Sequence, residues 1–141
     1  MTALVAPTRI VLDASAAVAL LADAGPAGQW VEATVNGATL LAPDLMPLEA
    51  ANILRRHALA GVLDSSAATL AHADLVALPV DLCPYTVLAE RAWELHSTLT
   101  VYDAAYVALA ELISAPLVTL DDRLTRAAGV QCMILAYSEL D

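Results

Sequence analysis

Short apolar runs alternate along this chain with longer stretches in which apolar residues recur at helical spacing. Arg9–Leu12 is the first strand-like run, and a helical pattern over Ala14–Ala22 follows until Gly25-Pro26 interrupts it. Helical spacing resumes over Gln29–Val35, Asn36-Gly37 turns the chain, and Thr39–Ala42 is a second strand. Pro47 suits the first position of a helix over Leu48–Ala60, which Gly61 ends. Asp64 and Ser65 are the capping residues of a further helix, Ser66–Val76, and Pro79–Leu82 is a third apolar run. Pro84 opens a helix through His96, and Val101–Ile113 forms the next. Strand Leu117–Leu120, a short helix Asp122–Ala128 stopped by Gly129, and a strand near Gln131–Leu135 complete the pattern.

Strands alternating with helices of this length predict a three-layer α/β/α fold around a mainly parallel sheet of about five short strands. The strand runs are brief and not strictly alternating, as expected when both faces are covered. No repeat, low-complexity tract or linker breaks the sequence, so a single domain is expected over residues 1–141.

Composition narrows the class. Apolar residues make up 60% of the chain, above the roughly 45–50% usual for soluble domains, which points to an oligomer or a partner groove. No uncharged apolar run approaches the ~18 residues of a spanning helix, and Asp13 interrupts the stretch after Arg9 that most resembles a secretory signal. Cys83 and Cys132 have no zinc-type spacing and read as small hydrophobes in a reducing cytoplasm. The net charge is −10, with six arginines and no lysine against 16 acids. Such acidity argues against simple electrostatic wrapping of nucleic acid; it fits an acidic metal pocket, a basic protein partner, or solubility.

Four acids stand where a strand gives way to a helix: Asp13 after Arg9–Leu12, Glu49 in Met46-Pro-Leu-Glu, Asp103 in Thr100-Val-Tyr-Asp, and Asp121 after Leu117–Leu120. In parallel sheets the functional crevice lies outside the carboxyl ends of the strands. Taken singly, each acid is explained by helix capping or by the helix dipole, and Thr100-x-x-Asp103 resembles a capping box. Capping, however, needs one polar oxygen per helix and is served by Ser or Thr. Four carboxylates on one edge repel each other unless a cation holds them, so a divalent-metal site is the leading expectation.

Other chemistries fall away. A P-loop and a phosphoacceptor receiver both require a lysine, which is absent. The turn after the first strand reads Asp13-Ala-Ser-Ala-Ala in place of a Gly-x-Gly-x-x-Gly dinucleotide turn, and Ser15 stands where dehalogenase-type phosphatases carry a second Asp. His57, His72 and His96 are scattered, with no nucleophile pattern beside them.

The ordered motifs Ile-Val-Leu-Asp13-Ala-Ser15, Glu49-Ala-Ala-Asn52-Ile-Leu-Arg55-Arg56, Tyr102-Asp103-Ala-Ala-Tyr106 through Glu111, and Val118-Thr119-Leu-Asp121-Asp122 resemble PIN-domain ribonucleases. More narrowly they resemble the VapC-type toxins of bacterial toxin–antitoxin pairs, over essentially the whole chain. The resemblance implies a compact domain, usually a cytoplasmic homodimer, whose acids bind Mg²⁺ or Mn²⁺ and hydrolyse RNA to a 5′-phosphate and a 3′-hydroxyl. Carried over by position, Asp13, Glu49, Asp103 and Asp121 are the catalytic quartet, with Asp13, Asp103 and Asp121 on the metal and Glu49 positioning water or a second ion. Ser15 and Thr119 support the pocket, and Asn52, one turn beyond Glu49, orients that carboxylate or stands exposed. Asp122 competes with Asp121 as the fourth acid, and the strand-to-helix reading favours Asp121. Arg55 and Arg56 are the expected phosphate contacts, a solvated face being the alternative. An antitoxin of the VapB type would lay its carboxy-terminal segment in an apolar groove and set an arginine among the acids. Two other functions stay open on the residues alone: a catalytically silent PIN-fold binding module, and a metal-dependent phosphatase of small phosphoesters.

Overall fold

A computed structural model describes residues 8–138, so the ends of the expected 1–141 domain, residues 1–7 and 139–141, lie outside the described residues. Among the described residues, six α-helices surround one sheet of five strands. Strand β1 (Arg9–Leu12) leads through α1 (Ala14–Ala22) and α2 (Pro26–Val35) to β2 (Thr39–Pro43). Helices α3 (Met46–Leu59) and α4 (Ser65–Ala77) lead to β3 (Val80–Cys83), and α5 (Tyr85–Glu94) and α6 (Val101–Ile113) to β4 (Leu117–Thr119). A 3-10 turn over Asp122–Arg126 precedes β5 (Ile134–Ala136).

The strand order is β3-β2-β1-β4-β5, and every neighbouring pair is parallel, so the sheet is wholly and not just mainly parallel. Register pairs Ile10 with Leu40, Leu12 with Val118, and Val118 with Leu135. The chain moves outward from β1 to β3, then returns to the other side of β1 to lay down β4 and β5. Between β1 and β4 the winding reverses, which in open parallel sheets opens a crevice at the carboxyl ends. Helix α1 packs on α2, α3 and α4 over one face, while α5 packs on α6, which crosses β1, β2 and β4 on the other. That is the α/β/α sandwich.

The central strands carry the core. Val11, Leu12, Leu117 and Val118 are wholly buried, and α6 adds Ala104, Ala105, Val107 and Ala110 with no exposed surface. Small alanines let that helix approach the sheet closely, which brings its first turn to the rim. Several element ends differ from the expected ones. Helix α2 starts at Pro26 and not at Gln29, because Pro tolerates the first helical turn where its missing N–H is not needed. Helix α3 starts at Met46, two residues early, for the same reason. The segment after Asp121 is a 3-10 turn ending at Arg126 in place of a helix to Ala128, and β5 lies at Ile134–Ala136 in place of Gln131–Leu135. No helix among the described residues is long and apolar enough to cross a membrane.

Candidate active site

Asp13 is the residue immediately after β1 and caps α1, with its Oδ1 accepting from the Ala16 backbone N–H at 2.9 Å. Its side chain is nonetheless deep, at 8% exposure. The Ser15 hydroxyl donates to the same oxygen at 2.7 Å and itself accepts from the Leu120 backbone N–H at 3.1 Å. Thr119, with no exposed surface, donates to Asp13 and accepts from the Asp121 backbone N–H at 2.9 Å. Each hydroxyl therefore bridges the β1 rim to the β4 rim across the crevice. Capping and pocket formation are both present at Asp13, and they are not alternatives.

Asp103 lies in the first turn of α6, whose cap Thr100 accepts from the Asp103 backbone N–H at 3.1 Å. Glu49 lies in the first turn of α3, where Tyr106 on α6 donates its phenol to Glu49 Oε1 at 2.7 Å. Asp121 caps the 3-10 turn and is held by Arg123, from Nε to Oδ1 at 2.9 Å and from a terminal nitrogen to Oδ2 at 2.6 Å. Asp122 is exposed and faces Arg126 at 3.9 Å.

Electrostatics joins the four acids. Burial, the largest effect, raises the proton affinity of Asp13 against the hydrogen bonds of Thr119, Ala16 and Ser15, and the charge of Asp103 raises it further. Burial likewise lifts Glu49 above the ordinary carboxylate range, opposed by the Tyr106 hydrogen bond and reinforced by Asp103 and Asp13. Asp103 is raised by burial and then by the charge of Asp121. Asp121 alone is lowered, because the Arg123 guanidinium binds its carboxylate. Burial and Glu49 together keep the Tyr106 phenol protonated, far above its usual range.

Among the described residues, no ion pair reaches Asp13, Glu49 or Asp103, and no three Asp, Glu, His or Cys side chains converge tightly enough to cage an ion in their present positions. Each carboxylate is instead turned to a local donor: Asp13 to Ser15, Thr119 and Ala16, Glu49 to Tyr106, Asp103 to Thr100, Asp121 to Arg123. The donor set fits a hard divalent cation nonetheless. All its atoms are oxygens, and its like charges reinforce one another at a desolvated rim where, among the described residues, Asp13 and Glu49 meet no cation and Asp103 feels only the charge of Arg123.

Other expected residues fall differently. Asn52 is exposed on α3 and makes no hydrogen bond to Glu49, and Arg55 and Arg56 are exposed. Arg56 lines a groove of about 480 Å³ that starts at Ser15; Arg55 lines none of the described clefts. Two arginines that the sequence reading passed over, Arg123 and Arg126, stand beside Asp103 and Asp121 in a separate cleft. Tyr106 was also given no role, although it stands three residues beyond Asp103 on the same helical face. A Tyr106→Phe substitution keeps the ring in its buried site and frees Glu49. Were Glu49 to serve a metal site, losing its donor should lower activity about 10- to 100-fold, the range usual for a group that orients a ligating carboxylate. Rates measured at saturating divalent ion check this, with circular dichroism confirming an unchanged fold.

The PIN domain profile matches residues 10–130. Ribonuclease VapC12 of Mycobacterium tuberculosis is 38% identical over 120 residues, spanning 85% of this chain and 92% of the relative. Ribonuclease VapC9 of the same organism is 41% identical over 125 residues, or 89% and 95% of the two chains. The crystal structure of Mycobacterium tuberculosis VapC20, a toxin that cleaves the sarcin–ricin loop, superposes with a TM-score of 0.65 at 18% identity, covering 86% of this chain and 96% of that one, a likeness of fold. The chain belongs to the PIN-domain family, among its VapC-type ribonucleases.

Proposed function

We propose that this chain is a single-domain, metal-dependent endoribonuclease toxin, with Asp13, Glu49, Asp103 and Asp121 as its acidic quartet and Mg²⁺ or Mn²⁺ as its ion. One observation carries the reading. Asp13, Glu49 and Asp103 are desolvated and mutually repelling where the winding of a PIN-type sheet reverses; among the described residues none is in an ion pair, and only Asp103 feels a cation, the charge of Arg123. A binding module for basic partners has no need to bury such charges. A divalent ion supplies charge neutralisation for the phosphate and lowers the pKa of a water.

The chain's own residues do the rest. Asp13, Asp103 and Asp121 present the oxygens that hold the ion. Ser15 and Thr119 keep the Asp13 carboxylate aimed and tie it to the backbone of Leu120 and Asp121. Tyr106 fixes Glu49 so that its free oxygen orients the attacking water. The product pair is a 5′-phosphate and a 3′-hydroxyl.

An antitoxin partner is part of the same reading. The groove that starts at Ser15 runs between α1 and α3 and is lined by Val18, Ala19, Ile53 and Leu63. An apolar peptide lying there would end beside Asp13, where an arginine can neutralise the rim. Homodimerisation in the cytoplasm completes the proposal, and exposed Val87 and Leu112 flank an apolar face on α5 and α6 suited to a second copy.

The test compares RNA with a small chromogenic phosphoester under Mg²⁺, Mn²⁺ and chelator. RNA should be cut only with metal and the phosphoester left intact, and Asp103→Asn should fall below about a thousandth of wild-type cleavage, a barrier increase of about 4 kcal/mol. Turnover of the phosphoester in preference to RNA would favour the phosphatase reading, and cleavage surviving in Asp103→Asn would remove that acid from the mechanism. Sequencing RNA ends after brief expression, beside Asp13→Asn, identifies the target.

A further inference from the structure

Arg123 stands two residues past Asp121 and closes a two-pronged contact on its carboxylate, with its backbone N–H adding a third bond to Oδ1 at 3.0 Å. One candidate metal ligand is thus already neutralised by a cation of this chain. The contact is open to solvent, with the Arg123 side chain 79% exposed. The two-pronged geometry makes this pair stronger than most surface ion pairs, but water screens its Arg123 side, so a doubly charged ion held also by Asp103 competes for those oxygens. Nothing encloses the long side chain, and it is free to leave.

Where it would go is defined by the neighbouring cleft, of about 330 Å³, bordered by Thr98, Thr100, Asp103, Asp121, Arg123 and Arg126. Two guanidinia border this cleft next to the acids, and guanidinia are the donors a sugar–phosphate backbone uses. In this acidic chain they are also two of only six basic residues. The planar fork of arginine matches phosphate oxygens as well as it matches a carboxylate.

We propose that Arg123 is a displaceable counter-ion of Asp121: it neutralises the acid rim in the metal-free protein and, released by the divalent ion, turns to a backbone phosphate of the RNA strand in the Thr98–Arg126 cleft. This rests on the metal-dependent ribonuclease reading above. It makes metal and RNA binding mutually supportive, since the ion frees a phosphate ligand as it docks.

The test is calorimetric titration of the metal-free full-length chain with Mn²⁺, for wild type, Arg123→Ala, Arg123→Lys and Arg126→Ala. Removing the competitor should tighten Mn²⁺ binding by about 3- to 10-fold in Arg123→Ala, with a smaller gain in Arg123→Lys and less than about twofold in Arg126→Ala, whose guanidinium faces Asp122. In saturating Mn²⁺ the same Arg123→Ala change should raise the KM for RNA by about 3- to 10-fold, the larger part of the effect lying in KM, and Arg123→Lys should recover part of it. Tighter metal together with weaker RNA is a pattern that loss of a merely structural residue does not produce. Mn²⁺ affinity unmoved by Arg123→Ala, or moved equally by Arg126→Ala, overturns the inference while leaving the ribonuclease reading intact. A wild-type chain that binds no Mn²⁺ sinks both.

Discussion

Asp13→Asn should lose metal-dependent cleavage by about 10³-fold or more while the metal-free protein melts at a higher temperature than wild type. The two effects share one origin. Asp13 is buried with no counter-charge, and burial and Asp103 raise its proton affinity. Asparagine keeps the shape, and its oxygen still caps α1 and accepts from Ser15 and Ala16; the bond from Thr119 is weakened, a smaller cost than the buried charge removed from the crevice. The pH profile of stability provides a second check. A carboxylate whose folded-state pKa is raised destabilises the fold above that value, and the penalty disappears as pH falls through it. Between neutrality and the ordinary carboxylate range the metal-free wild type should therefore gain stability on acidification, through Asp13, Glu49 and Asp103. At lower pH the trend reverses. Asp121 and Glu111 are held below their ordinary values by Arg123 and Arg91, so their contribution is lost as they protonate. Asp13→Asn should flatten the first limb and leave the second. A large loss of melting temperature in this variant would mean that the carboxylate is chiefly a structural cap.

The second large effect separates two neighbours. Asp121→Asn should abolish cleavage to a similar degree, whereas Asp122→Asn should stay within about twofold of wild type, as surface substitutions usually do. Only Asp121 touches Thr119 through its backbone and raises Asp103 by its charge; Asp122 is exposed and faces Arg126 across 3.9 Å. Parallel kcat and KM measurements decide it. The reverse ranking, with Asp122→Asn inactive and Asp121→Asn active, would move the fourth acid one residue along.

Much of the architecture was legible because its signals are local. Short, mainly apolar runs such as Arg9–Leu12 and Leu117–Thr119, alternating with helices, are those of strands covered on both faces, which favours a parallel sheet. Acids at the junctions then had to lie near one edge. What could not be read were properties set by rotation about an axis. Asn52 is one turn past Glu49 on α3, yet the helix turns it to solvent. Tyr106 has the same spacing from Asp103, and there the same geometry delivers a hydrogen bond to another helix. Helical spacing alone does not say which neighbour the shared face meets. The place of Arg123 and Arg126 was not legible for a related reason. Arg55 and Arg56 adjoin an acid in sequence, whereas Arg123 and Arg126 reach the cleft because the segment after Asp121 is wound as a 3-10 turn and not as an α-helix.

The hydroxyl bridges of Ser15 and Thr119 have a bearing on biosynthesis. Ser15 meets its backbone partner 105 residues later, so every residue through β4 must leave the ribosome before that contact can close. A nascent or prematurely terminated chain lacks Asp121 and the strand that orients Asp13. Synthesis thus builds in a delay: the acid-lined crevice is tied together only after Val18 and Ile53 of the neighbouring groove have emerged.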